Sequence, residues 1–118
     1  GAYDKKYFQQ IAKTYKEAAV FNEKTISALS IVITSDSVDY KKFVEEMVDM
    51  IRNDDMLIRW SENKFVLMFM VDEVSNAKKV LSKFEGIFSN SDMKTYGCKL
   101  KLDISQEDEK ITTFIKRI

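Results

Sequence analysis

Met56-Leu57-Ile58-Arg59-Trp60-Ser61-Glu62-Asn63-Lys64-Phe65-Val66-Leu67-Met68-Phe69-Met70-Val71 is the stretch on which the fold turns. Residues 56–60 and 65–71 are apolar runs of strand length, rich in β-branched and aromatic side chains. Between them Ser61, Glu62, Asn63 and Lys64 make a polar turn of hairpin length. The stretch predicts a short strand, a tight turn and a longer strand, paired antiparallel.

Upstream, Ser37 or Asp39 can cap a helix running to about residue 53, with Tyr40, Phe43, Val44, Met47, Val48 and Ile51 on one stripe. Before it, residues 26–35 read as a strand apolar on both faces, the pattern of a central strand covered on both sides. Residues 3–21 read as a helix with Tyr7, Phe8, Ile11, Tyr15 and Ala18/Ala19 inward, and 22–25 as a polar break. Downstream, Ser75 caps a helix to residue 88 with Ala77, Val80, Leu81, Phe84 and Phe88 inward, and 89–92 is a loop. Residues 98–104 alternate Cys98, Leu100, Leu102, Ile104 against Lys99, Lys101, Asp103, as a half-exposed strand near a sheet edge does. A last helix starts at Gln106 and carries Ile111, Phe114, Ile115 and Ile118. The order is helix, then β-α-β-β-α-β, then helix. This predicts an α+β fold, a ferredoxin-like or palm antiparallel sheet with flanking N- and C-terminal helices.

Composition narrows the chemistry. The 118 residues suit one domain, and Gly1-Ala2 reads as a cloning remnant on a piece of something longer. Lys+Arg and Asp+Glu are both 19, so no electrostatic footprint for nucleic acid or an anionic membrane is expected. No apolar run is long enough for a membrane span, and the lone Cys98, unable to pair internally, suits a reducing compartment. The domain is therefore expected in the cytoplasm, with any membrane tether lying in regions outside this chain. Histidine is absent, which removes the commonest general base and metal ligand. Gly1, Gly86 and Gly97 form no phosphate-cradling loop.

The residues in this order resemble the GGDEF (diguanylate cyclase) family of bacterial signal transduction. Tyr3-Asp4-Lys5-Lys6-Tyr7-Phe8 looks like the family's opening "YNRRYF" box. Ser30-Ile31-Val32-Ile33-Thr34-Ser35-Asp36 looks like its first strand, which ends in Asp-x-Asp. Ile51-Arg52-Asn53-Asp54-Asp55-Met56-Leu57-Ile58-Arg59-Trp60 is similar to "vRxxDlvaRy". Ser61-Glu62-Asn63-Lys64-Phe65 stands where the signature Gly-Gly-Asp/Glu-Glu-Phe belongs. The resemblance covers nearly the whole chain, but the closing "AlYxAK" segment is not visible.

The resemblance also marks what is replaced. It puts metal-holding acids at Thr34, Asn63 and Lys64, and glycines that admit a triphosphate at Ser61 and Glu62. Threonine is a poor magnesium ligand and lysine repels the ion. The base-reading "FKxxND…GD" segment has no room between Asp36 and Arg52. No catalytic residue, metal site or cofactor is therefore expected, and the turn 61–65 reads as degenerate. Arg52-Asn53-Asp54-Asp55 keeps the family's Arg-x-x-Asp. The resemblance implies a receptor site there for cyclic di-GMP, with Arg59 as a further contact. Arg offers a planar fork to phosphate or the Hoogsteen edge of guanine, and Asp accepts from guanine N–H groups. The same residues also suit a plain role, Arg52 at a helix C-terminus and Asp54 or Asp55 paired locally. A second basic group is expected from elsewhere in the fold and is not assigned by sequence.

Other features read plainly. Met47, Met50, Met56, Met68 and Met70 read as core filling, Cys98 as a small hydrophobe, and Trp60 as packing. Asp36 reads as a cap or a solvated group. The Lys pairs 5–6, 41–42 and 78–79 read as solvated faces. Three functions stay open: a nucleotide-binding cyclic di-GMP module, an interaction module that forms a homodimer or holds neighbouring domains of a longer signalling protein, and a weak enzyme on another nucleotide.

Overall fold

The computed structural model describes residues 1–90 and 92–118. Its elements are β1 (Tyr3–Asp4), α1 (Lys5–Phe21), β2 (Thr25–Ile33), α2 (Tyr40–Val48), β3 (Met56–Ser61), β4 (Lys64–Val71), α3 (Val74–Asn90), β5 (Cys98–Ile104) and α4 (Ile111–Arg117), with a 3₁₀ turn at Asp92–Tyr96 before β5. They form one five-stranded sheet in the order β1-β3-β4-β2-β5. Without β1, the strands follow the ferredoxin-like order.

β2 lies between β4 and β5, with Leu29 opposite Leu67 on one side and Leu102 on the other. Seven of its nine residues are buried, as a strand apolar on both faces requires. Leu29, Ile31 and Ile33 face α2 and α3, where Phe43, Met47, Ala77, Phe84 and Phe88 close one core. Ile26 and Ala28 face α1 and α4, where Phe8, Ala12, Ala19, Phe114 and Ile115 close the other. Met47 and Met68 are fully buried and Met50, Met56 and Met70 pack against the two cores.

Several boundaries differ from the sequence reading. The first helix begins at Lys5, because Tyr3 and Asp4 pair with Ile58 and Arg59 as a parallel edge strand. The sheet is thus not purely antiparallel. Asp4 caps α1, accepting from the Tyr7 N–H at 2.6 Å. Tyr7 is not inward; it stacks on Tyr3 at the surface, ring centroids 5.2 Å apart. β2 takes in Thr25 and stops at Ile33, and α2 stops at Val48 rather than near residue 53. Asp39, not Ser37, caps α2, accepting from Lys42 N–H at 3.1 Å. Ser75 does not precede α3 but lies in its first turn, its hydroxyl 3.4 Å from Glu73. Ser89 and Asn90 belong to α3 and Asp92 to the 3₁₀ turn; of the expected loop 89–92, Ser91 lies outside the described residues. Among the described residues, no helix is long and apolar enough to cross a membrane.

The last helix starts at Ile111, five residues later than expected, because residues 105–110 are spent on an anchor. Glu109 accepts from the Gln106 N–H at 3.0 Å. Arg117 grips Glu109 in two bonds, of 2.7 and 2.9 Å, and reaches Asp103 at 3.3 Å and the Ile104 carbonyl at 2.8 Å. This explains why Asp103 is buried on the polar side of an edge strand. Arg117 holds the Glu109 carboxyl down at about 2, first through the hydrogen bond. A carboxyl lowered on folding stabilises the protein above its ordinary value, and that contribution is lost as pH falls toward 2. Urea midpoints followed from neutral to acid pH should show Arg117→Gln less stable at pH 7, and declining less steeply below pH ~4.5 than the wild type.

Candidate functional site

α2 ends early because the chain must turn to reach β3. Met50 N–H bonds to Met47 O at 3.0 Å, and the Asp55 N–H to Arg52 O at 3.1 Å. Asp55 closes this second turn itself, its carboxylate accepting from the Arg52 N–H at 3.0 Å. That local bond is the plain role expected of the pair, and it uses one carboxylate oxygen. Burial, the largest effect, pushes the Asp55 carboxyl upward, against the pull of the Arg52 amide. Tyr15 of α1 stands behind the turn. Its hydroxyl is buried with no hydrogen-bond partner among the described residues, and burial followed by the charges of Asp55 and Asp54 raises its pKa.

Beside the turn the sheet has a notch. β3 starts at Met56 opposite Met68, so Phe69, Met70 and Val71 of β4 have no β3 residue beside them. The notch opens into a hollow of about 410 Å³, bounded by Arg52, Asp55, Phe69, Lys79 and Lys83, with Lys24 at the far end. That lies within the roughly 300–1,000 Å³ of ordinary ligand pockets. Lys83 of α3 ties the two walls together, donating to the Met50 carbonyl at 3.0 Å. Lys24 is paired with Asp72 at 3.0 Å. Among the described residues no hydrogen bond or ion pair engages the exposed Arg52 guanidinium. The structure thus brings Arg52 and Asp55 together with two cations the sequence reading did not assign. Lys79 and Lys83 are one helical turn apart and flank the apolar stripe of Val80 and Phe84, which is the signal that could have found them.

Arg59 does not join this site. It lies at the other end of β3, donates to the Glu62 carbonyl at 2.5 Å, and stacks over Tyr40 at 4.4 Å and Phe65 at 5.5 Å. There it lines a second hollow with Tyr3, Tyr40, Val44 and Phe65.

The turn at that end is shorter than expected. Ser61 and Lys64 pair across a two-residue loop, Glu62-Asn63, and a bulge falls between Arg59 and Ser61. Its groups are engaged within the chain. Asn63 donates to the Ile33 carbonyl at 3.2 Å, and Lys64 to the Ile118 carbonyl at 2.8 Å. Thr34 donates to the Gly97 carbonyl at 2.6 Å. Gly97 has φ +62°, and a Cβ there would overlap the Thr34 hydroxyl. Half-burial pushes the Cys98 thiol up to about 12, in keeping with a small packed side chain.

No protein-family model matches the sequence, and no curated protein matches it. Among solved structures the chain resembles the crystal structure of a DGC protein from Thermotoga maritima, with a TM-score of 0.65 and 12% identity over 98% of this chain and 89% of that one. At that identity the likeness bears on the fold alone, a mixed α+β fold with one five-stranded sheet that the two chains share.

The two roles of Asp55 separate by substitution. Asp55→Ala removes the acceptor for the Arg52 amide and should cost about 1 kcal/mol in urea denaturation. Asp55→Asn keeps an acceptor and sheds a half-buried charge, so its stability should stay within about 0.5 kcal/mol of wild type.

Proposed function

We propose that this chain is a non-catalytic, GGDEF-like signalling domain that receives cyclic di-GMP at the Arg52–Asp55 corner. One observation carries the reading: Arg52, Asp55, Lys79 and Lys83 border a single hollow, and among the described residues no hydrogen bond or ion pair engages the Arg52 guanidinium. Its apolar floor, including Phe69, suits a planar base, and its cations suit phosphodiesters. Fold and sequence resemblance agree in kind, since the solved neighbour is a DGC protein.

The non-catalytic half rests on the turn end. Phosphoryl transfer between nucleotides needs metal ions to neutralise developing charge. Thr34, Asn63 and Lys64 stand where the resemblance puts the acids, and each is bonded to a main-chain carbonyl of this chain. In this reading the domain works in the bacterial cytoplasm beside neighbouring domains of a longer signalling protein, and needs no cofactor.

A second reading, an interaction module without a nucleotide, is favoured by the end of α1. Phe21 is 87% exposed there, next to Val20 at 63%. A surface aromatic that open is a candidate contact for a second copy or an attached domain.

Calorimetric titration with cyclic di-GMP decides between the two. Saturable binding is expected, weakened about tenfold or more by Arg52→Ala or Lys83→Ala, since each loses a charge-assisted bond. No heat at high micromolar ligand, or equal affinity in both variants, refutes the receptor role. Magnesium-dependent turnover of GTP would refute the non-catalytic half.

A further inference from the structure

The notch beside the Arg52–Asp55 turn also exposes main chain. In an antiparallel ladder the bonded pairs fall on alternate residues. The Ile33 N–H donates to the Asn63 carbonyl at 2.8 Å, one place beyond the Val32–Lys64 pair, so β4 bonds to β2 through its odd-numbered residues. The Ser105 N–H donates to the Ile26 carbonyl at 2.9 Å, one place beyond the Ser27–Ile104 pair, so β2 bonds to β5 through its even-numbered residues and to β4 through its odd ones, in agreement. The N–H and C=O groups of Val66, Met68 and Met70 therefore point toward β3. Ile58 meets Val66, Met56 meets Met68, and there β3 begins. The same register would put Asp54 opposite Met70, but the Asp55 carboxylate closes residues 52–55 into the turn instead. Both main-chain groups of Met70 thus face the hollow, and among the described residues no main-chain bond from outside the strands reaches them.

Two further features mark this stub of β4 as a place for an added strand. The first is that nothing blunts it. Open sheet edges are commonly protected by lysines or by shortness. β5 carries Lys99 and Lys101, and β1 is two residues long. Phe69, Met70 and Val71 are all apolar, and they open onto the hollow of about 410 Å³. The second is charge. Lys24, Arg52, Lys79 and Lys83 border the hollow against Asp55 and Asp72. Both acids are already engaged, Asp72 by Lys24 at 3.0 Å and Asp55 by the Arg52 N–H at 3.0 Å. Asp54 and Glu73 are exposed and lie outside the border.

We propose that this stub is a strand-acceptor site: an extended acidic segment of a partner protein pairs antiparallel with β4 through the Met70 N–H and C=O. Main-chain pairing of this kind gives affinity, and the alternate side chains give specificity. A partner residue opposite Met70 shares the face of Met70, which packs with the α1/α4 core. Its two neighbours turn to the other face, over Phe69, on the side of α3. Lys79 and Lys83 stand there one helical turn apart. The pattern that fits is therefore acidic, apolar, acidic. The stub is three residues long, about 10 Å, so the contact is short and the affinity modest.

The test is an NMR titration of the isotope-labelled chain with the blocked peptide Ac-Glu-Val-Glu-Val-Glu-amide. No nucleotide is present, so the result does not depend on whether cyclic di-GMP binds the same hollow. Saturable shifts are expected, with the Met70 amide slowed in hydrogen exchange, a change that ion pairing alone does not produce. N-methylation of both valines removes the main-chain donors and should weaken binding about tenfold or more. Lys79→Glu should weaken it as much, and so should exchanging the glutamates of the peptide for lysines. Lys41→Ala/Lys42→Ala on α2 should leave the affinity unchanged. Met70→Pro deletes the outward donor at an edge position of the kind that admits proline, and should abolish binding. Thermal unfolding reports whether that variant folds, and the N-methylated peptide tests the same bond if it does not. Equal affinity for the N-methylated peptide, no saturation at millimolar peptide, or an unprotected Met70 amide overturns the proposal. Protection of Met70 that rises with protein concentration in the absence of peptide assigns the edge to a second copy and overturns it as well.

Discussion

β2 has no face to give to water. Leu29, Ile31 and Ile33 point one way, Ile26 and Ala28 the other, and both neighbouring ladders are occupied. A strand of that kind is stable only between two helical layers, because each buried aliphatic side chain contributes about 1.5–3 kcal/mol that exposure would forfeit. The α2/α3 layer and the α1/α4 layer are therefore not separate decorations. They are joint consequences of one strand, and both ends of the molecule are defined by where that double cover stops.

At one end the cover stops because α2 is short. The chain then needs seven residues to descend to β3, and the closed Arg52–Asp55 turn is how it does so. β3 consequently starts late, β4 is left without a neighbour at Phe69 to Val71, and the hollow follows. At the other end α4 is seven residues long and is pinned by Arg117 beside Asp103. Val32 of β2 is left only half-buried at that end.

Much of this was legible in the residues. Apolar runs fixed β2, β3 and β4, the alternation from Cys98 to Ile104 identified an edge strand, and the helical stripes found the core side chains. What was hidden depends on distant partners. β1 is two residues long and exists only because Ile58 and Arg59 lie beside it. The late start of α4 follows from a three-way grip around Arg117 that no local pattern announces. In the site, the Arg52–Asp55 spacing is local and readable. Lys79 and Lys83 lie about thirty residues on, and their place in the hollow depends on how α3 packs. Arg59 looked like a partner of Arg52, but a strand's length carries it to the opposite end, where it stacks on Tyr40.

Thr34 and Gly97 are 63 residues apart in sequence and in direct contact. The threonine hydroxyl has a proton to give to the glycine carbonyl. An aspartate in its place would at neutral pH set carboxylate oxygens against that carbonyl. The glycine cannot yield either, since its backbone is left-handed and its missing Cβ is what makes room for the threonine. Each residue is thus the condition for the other. For a lineage drifting through sequence space the corner works as a latch: positions 34 and 97 are tied, and a carboxylate at this strand end would need both to change.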